Sequence, residues 1–350
     1  MIAFCRDSFK RLALAALALT AAVAGCTAAN DGGAGEVVIY TSVDQVYAEP
    51  LFREFERETG IRVVAVFDTE ETKSTGVLNR LIAEGDNPRA DLFWSGDPVR
   101  PFLLIGRGLT APYVPANAAA IPATFRDADG SWTGTSARAR VLLVNRERLA
   151  GRPMPTRLDD LADPRWKGNV AIANPLFGTT TMHAAALFAT RGEAEARRFF
   201  EALKANDVRV AGSNGEVRRL VVSGEVAFGL TDTDDAYEAV KDGAPVEIVY
   251  PDQDGAGALV MPTSVILIRG GPNPGTARQL ADFLVSPEAE RMMAASAAHM
   301  PLHSGVATPA NVGRIENIRA MEVDYGEVAS TMERIQPWLR EWVGLSSGGQ

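Results

Sequence analysis

Short apolar runs that stop at hydroxyl or acidic residues alternate along this chain with stretches of helical periodicity. Residues 36–42 (Glu-Val-Val-Ile-Tyr-Thr-Ser) read as a buried strand. Leu51, Phe52 and Phe55 then recur at helical spacing up to Gly60, a C-terminal stop signal, with Pro50 near the start of that helix or kinking it. The same alternation gives strands over 61–67 and 91–94, a helix over 72–84 and another starting at Phe102. In the middle of the chain, strands are predicted over 139–145, 170–173, 208–211 and 226–230, with helices over 181–190, 193–205 and 216–222. A strand at 248–250 and one over 264–268 precede helices over 274–284, 287–297 and 330–343. Strands alternating with helices imply βαβ units and parallel sheet covered on both faces, an α/β protein.

The N-terminus follows a different pattern. Arg6, Lys10 and Arg11 precede an apolar run of 12 residues, Leu12 to Val23, which ends at Val23-Ala24-Gly25-Cys26. A charged start, a short apolar stretch and small residues make a secretory signal, and the run is shorter than the ~20 residues that span a bilayer. Small residues directly before a Cys resemble the lipobox of bacterial lipoproteins, which implies lipidation at Cys26 after removal of residues 1–25. A flexible, Gly-rich linker is expected over 26–35. The only other cysteine, Cys5, lies within the signal, so no intramolecular disulfide is available to the exported chain. The 315 residues from Glu36 onward are enough for two packed domains. The chain carries a formal charge of −9 and its signal is basic, so the exported part is more acidic still. That argues against nucleic acid or an anionic membrane surface as partner.

Nearly every predicted strand runs into a polar cluster. These are Thr41-Ser42-Val43-Asp44, Glu70 to Ser74, Ser95-Gly96-Asp97, Gly178 to Thr181, Gly212-Ser213-Asn214 and Thr231 to Asp235. Each taken singly is explained by helix capping, for which Ser, Thr and Asp are the usual residues. Their density in both halves points instead to a ligand cleft, because ligands in open α/β sheets bind outside the carboxyl ends of the strands.

Four segments carry a specific resemblance. VVIYTSVDQVYAEPLFREFERETGIRV (37–63), SARARVLLVN (136–145), GEVAFGL (224–230) and MPTSVILI (261–268) resemble the ferric-iron-type periplasmic binding proteins of ABC importers. The resemblance covers essentially the whole exported chain. It implies two α/β lobes, each a mostly parallel sheet flanked by helices, joined by two crossing hinge strands. Lobe 1 would comprise 36–137 plus 263–345, and lobe 2 would comprise 138–262. It also implies a monomeric receptor that hands a small solute, iron(III) above all, to a permease and its ATPase.

The iron chemistry of that family does not carry over intact. Its ferric-binding members use a tandem Tyr pair, and here Asp234 and Asp235 stand in those places; Asp44 stands where some relatives have a His, and Asp97 near the family's Glu. These four form the candidate metal set. Four carboxylates together repel one another and raise one another's pKa unless a cation lies between them. An oxygen-only cleft of this kind suits a hard metal ion, or equally the ammonium of an organic solute. The wider candidate set is Thr41, Ser42, Asp44, Thr72, Lys73, Ser74, Ser95, Asp97, Arg138, Thr179, Thr180, Ser213, Asn214, Thr231, Asp232 and Tyr237. Some relatives in this wider family bind phosphate-bearing or aminophosphonate solutes, for which Thr72-Lys73-Ser74 and the 179–181 threonines would hold the anion. Arg138 and Arg140 are expected to point one toward the cleft and one away, Trp94 is the best Trp to line it, and His183, His299 and His303 are expected to be structural. An exported α/β hydrolase is the competing class. The sequence offers it no GxSxG elbow between a strand and a helix, no HExxH and no CxxC.

Overall fold

The computed structural model describes residues 35–68 and 76–344. The signal, Cys26, most of the expected linker and Thr72-Lys73-Ser74 lie outside the described residues. The strands are β1 (Glu36–Thr41), β2 (Arg62–Phe67), β3 (Leu92–Ser95), β4 (Thr110–Ala111), β5 (Thr133–Asn145), β6 (Val170–Ala173), β7 (Arg209–Ala211), β8 (Phe228–Asp232), β9 (Val246–Val249) and β10 (Val260–Ile268). The α-helices are α1 (Gln45–Thr59), α2 (Gly76–Ala83), α3 (Arg100–Ile105), α4 (Gly178–Arg191), α5 (Glu193–Ala205), α6 (Asn214–Val222), α7 (Thr233–Lys241), α8 (Pro274–Leu284), α9 (Pro287–Ala297) and α10 (Tyr325–Val343). No described helix is long and apolar enough to cross a membrane.

The sheet order is β2-β1-β3-β10-β5-β8-β6-β7. Pairing is parallel at both ends, β2/β1/β3 and β8/β6/β7, and antiparallel in the middle. The strand that joins the halves is β5. Its first half pairs with β10, and its second half pairs with β8 and β9. Both crossing strands are longer than the sequence pattern suggests, because every residue of β10 and nearly every residue of β5 is buried, polar ones included. A strand covered on both faces loses the alternation that marks its ends. The β5/β10 register shifts between Pro262 and Thr263, where the proline has no N–H to give the ladder.

Local chemistry explains the elements beside the cleft. α1 contains Pro50 in its interior and ends at Gly60 in the left-handed conformation (φ 71°), whose N–H reaches the Glu56 carbonyl. Its buried face, Leu51, Phe52 and Phe55, lies on the first sheet, with Phe52 edge-on to Trp94 at 6.0 Å. In the second half, Gly229 lets α6 approach β8. A Cβ there would come within 2.5 Å of Val217 Cγ1 and 2.9 Å of the Ala171 carbonyl. That close approach brings Asn214, the first residue of α6, to Asp232 at the end of β8. α10 begins at Tyr325, whose hydroxyl donates to the Val260 carbonyl. It ends on the second half, where Trp338 packs against Phe188 and Phe200 and Trp342 Nε1 donates to the Phe200 carbonyl.

Candidate functional site

A cleft of about 740 Å³ opens where the strands end. Ser42 and Asp44 reach it from the β1–α1 turn, and Gly96, Asp97 and Arg100 from the β3–α3 segment. Thr179 and Thr181 reach it from the first turn of α4, Asn214 from α6, and Asp232, Asp234 and Asp235 from the β8–α7 junction. Arg138, Thr263 and His299 belong to its hinge side, and Met332 and Gln336 of α10 also line it.

The β8–α7 junction supplies the densest charge. Oxygens of Asp232, Asp234 and Asp235 all lie within 4.8 Å of one another, and no other such group of metal-ligating side chains occurs among the described residues. The three differ in how their charge is met. Asp232 is buried and saturated: Arg140 Nη1 donates at 2.6 Å, Thr179 Oγ1 at 2.8 Å and Asn214 Nδ2 at 3.1 Å. Asp234 has Arg138 Nη1 at 3.5 Å from Oδ2, while its Oδ1 is buried without a hydrogen bond. The Asp235 carboxylate accepts no hydrogen bond among the described residues. Burial, then the charges of Asp234 and Asp232, push its pKa up to about 7.

Two arginines, Arg100 and Arg138, enter this cleft beside five aspartates. Arg138 donates to the Gly96 carbonyl at 3.2 Å and lies 3.6 Å from Asp232 Oδ2. Burial works against its charge, but Asp234, Asp232 and Asp97 outweigh that and raise its pKa. Arg140, directly opposite Asp232 in the β5/β8 register, is fully buried and also donates to Thr179, Thr180 and Asn214. Of the two, only Arg138 lines the cleft and Arg140 is buried behind it, yet they do not point to opposite faces of the strand. Residues two apart on a strand share a face, and both guanidinia reach the same Asp232. The oxygen-only cleft is corrected in the same way: Arg100, Arg138 and His299 line it.

The structure divides the expected ligand-contacting residues. Ser42, Asp44, Asp97, Arg138, Thr179, Asn214 and Asp232 line the cleft together with Asp234 and Asp235. Thr41, Ser95, Thr180, Ser213, Thr231 and Tyr237 do not. Thr41 Oγ1 donates to the Trp94 carbonyl, and Ser95 Oγ accepts from the Asp97 N–H. Thr180 accepts from Arg140, Ser213 caps α6 by accepting from the Glu216 N–H, and Thr231 donates to the Asn214 carbonyl. Tyr237 packs against the core. Asp97 lies in the cleft, yet its Oδ1 caps the Val99 and Arg100 N–H groups. Neither Asp97 nor Asp44 joins the carboxylate cluster; Asp232 does. Trp94 is core rather than lining, with Nε1 donating to Thr263 at 3.1 Å.

Arg100, Tyr47, Phe177 and His299 line the cleft without having been anticipated as ligand contacts. Phe177, which is 65 % exposed immediately before α4, was the most legible of them, since an apolar residue beside a Thr-rich turn has no core to join. Arg100 follows Asp97 by one helical turn, a spacing that the polar-cluster argument passed over.

Two α/β lobes with crossing hinge strands and a polar cleft at the strand ends define a periplasmic-binding-protein fold. Residues 87–321 match the family of bacterial extracellular solute-binding proteins, and the chain belongs to that family. It is a solute receptor rather than an enzyme. Iron uptake protein A1 of Synechocystis is 28% identical over 286 residues, 77% of each chain. The solved structure of a Bordetella ferric binding protein superposes with a TM-score of 0.76 at 28% identity, covering 89% of this chain and all of that one. A putative 2-aminoethylphosphonate-binding periplasmic protein of Salmonella typhimurium is 26% identical over 305 residues, 85% of this chain and 83% of its own.

Proposed function

We propose that this protein is the extracytoplasmic receptor of an ABC importer and that its cargo is iron(III), bound between the lobes by Asp234 and Asp235. The observation that carries the reading is the carboxylate cluster at the β8–α7 junction. Asp232 is already neutralised by Arg140, but Asp235 accepts no hydrogen bond among the described residues and has a raised pKa, so the cluster carries carboxylate charge that a bound cation would offset. Carboxylate oxygen is a hard donor suited to a hard ion. The similarity to the iron uptake protein of Synechocystis and to the Bordetella ferric binding protein supports iron as that ion. Lobe 1 is taken as 36–137 plus 263–345 and lobe 2 as 138–262, with α10 reaching across. Closure by hinge motion brings Asp44 and Asp97 toward the cluster. Residues 1–25 serve as export signal, and Cys26 carries a lipid anchor to the envelope.

A second reading is favoured by one observation. Arg100 and Arg138 share the cleft with the first turn of α4, where Thr179 and Thr181 face inward and no side chain caps the helix. Such a helix end with two arginines suits a phosphonate, and the nearby carboxylates suit its ammonium. The similarity to the putative 2-aminoethylphosphonate-binding protein of Salmonella points the same way.

A thermal-shift panel separates the two. Iron(III) citrate, against citrate alone, is expected to raise the melting temperature by several degrees. Ligand at 100 times its dissociation constant adds about 2.7 kcal/mol. A strong chelator should reverse the shift. A shift produced by 2-aminoethylphosphonate and indifferent to chelator would instead establish the second reading.

A further inference from the structure

His299 stands at the hinge, where the two halves meet. α9 is followed by its C-cap Ala298, a non-glycine residue in the left-handed conformation (φ 53°), and the chain turns there to lay Met300 against β5. Met300 and Ala137 exchange both backbone hydrogen bonds at 2.7 Å. This fixes His299 beside Ser136, and its Nδ1 lies 3.1 Å from Ser136 Oγ. Ser136 is itself held, since its N–H donates to the buried Glu290 at 2.8 Å. Glu290 also accepts from the N–H groups of Leu302 and His303 and pairs with His303 Nδ1. The imidazole is 7% exposed, and its open part faces the cleft. Nδ1 is engaged, and Nε2 has no hydrogen-bond partner among the described residues.

A buried ring with one nitrogen held and the other turned to a polar cavity is an unusual use of histidine in a core. The neighbours decide its protonation. Burial and the Arg138 charge push its pKa down to about 3, against a smaller upward effect from Asp44. The ring is therefore neutral wherever the protein works, and a neutral imidazole is a donor to iron as well as to zinc, copper and nickel. Metal-ligating histidines characteristically give their other N–H to an oxygen acceptor that fixes ring and tautomer, which is the part Ser136 Oγ is placed to play.

We infer that His299 supplies a nitrogen ligand to the metal in the closed cleft and that Ser136, on the hinge strand, is its positioning residue. The inference rests on the metal reading above. It adds a nitrogen donor from the hinge side to the carboxylates at the β8–α7 junction. Because Ser136 and Arg138 lie on one strand, the same element positions the imidazole and the guanidinium that faces Asp234.

The test uses the purified protein loaded with iron(III) from citrate, a chelator without nitrogen, and reads pulsed electron paramagnetic resonance. Wild type should show imidazole ¹⁴N coupling to the ferric centre. His299→Gln should lose the coupling and bind iron roughly 30-fold or more weakly. Ser136→Ala should keep the coupling and weaken binding about 10-fold, the effect of removing an orienting partner. A wild-type ferric centre without nitrogen coupling overturns the inference alone, even if His299→Gln folds poorly. A wild type that takes up no iron overturns the metal reading, and the inference with it.

Discussion

Replacing Asp235 by asparagine is expected to strengthen the apo protein and weaken its grip on iron. Burial and the two neighbouring aspartates raise the Asp235 carboxyl to about 7, whereas in the unfolded chain it titrates near ~3.9. The folded state therefore binds this proton more tightly than the unfolded state. Apo stability falls as pH rises between those values, and the whole penalty is present above about 7. Asparagine removes the charge. Against that stands the loss of an acidic group in the first turn of α7, worth ~0.3–1 kcal/mol to the helix dipole. Self-repulsion and burial are the larger effect, so Asp235→Asn should be more stable than wild type at pH 8 by roughly 1–3 kcal/mol. The gain should shrink toward pH 4. Iron affinity should drop ~30-fold or more, as for a charged partner removed from a closed site. In wild type, protons compete with iron for Asp235, so binding should weaken as pH falls below about 7. A variant that melts lower at pH 8 and binds iron normally would make Asp235 a helix-end residue and no more.

The largest loss of stability is expected at Arg140. Its guanidinium is fully buried, 2.6 Å from Asp232, and hydrogen-bonded to Thr179, Thr180 and Asn214. It joins β5 to β8, α4 and α6. Arg140→Met leaves Asp232 buried with one close cation fewer, a change that costs about 3–5 kcal/mol. Arg138, 3.6 Å from Asp232, moves the expectation toward the lower end. Chemical unfolding of the apo protein measures this directly. The double variant Arg140→Met/Asp232→Leu should recover much of the loss, because an apolar pair replaces the ion pair instead of stranding one charge. A single-variant loss below 1 kcal/mol would mean that solvent or Arg138 already satisfies Asp232.

What the sequence conveys about this protein follows from which physical signals are local. The βα alternation was legible because buried runs and helical periodicity are properties of neighbouring residues, and α8 and α9 begin and end where the pattern places them. The first turn of α4 was read as loop because Gly178 and the threonines look like a turn, although they form the helix start. Asp44, Asp97, Asp234 and Asp235 were legible as cleft residues because each follows a strand. That Asp232 replaces Asp44 and Asp97 in the carboxylate cluster was not legible, since it depends on where β8 ends relative to β5. His299 was hidden more deeply. Its role depends on a backbone pairing between Met300 and Ala137, 163 residues apart, and no periodicity records such a contact.

The most direct test of the account is an anomalous-scattering map of crystals grown with iron(III), collected at the iron edge. The expected result is one strong peak in the closed cleft, with carboxylate oxygens of Asp234 and Asp235 about 2.0–2.2 Å from it, the range of metal–carboxylate bonds. A closed, solute-filled cleft with no iron peak at these two residues would contradict it.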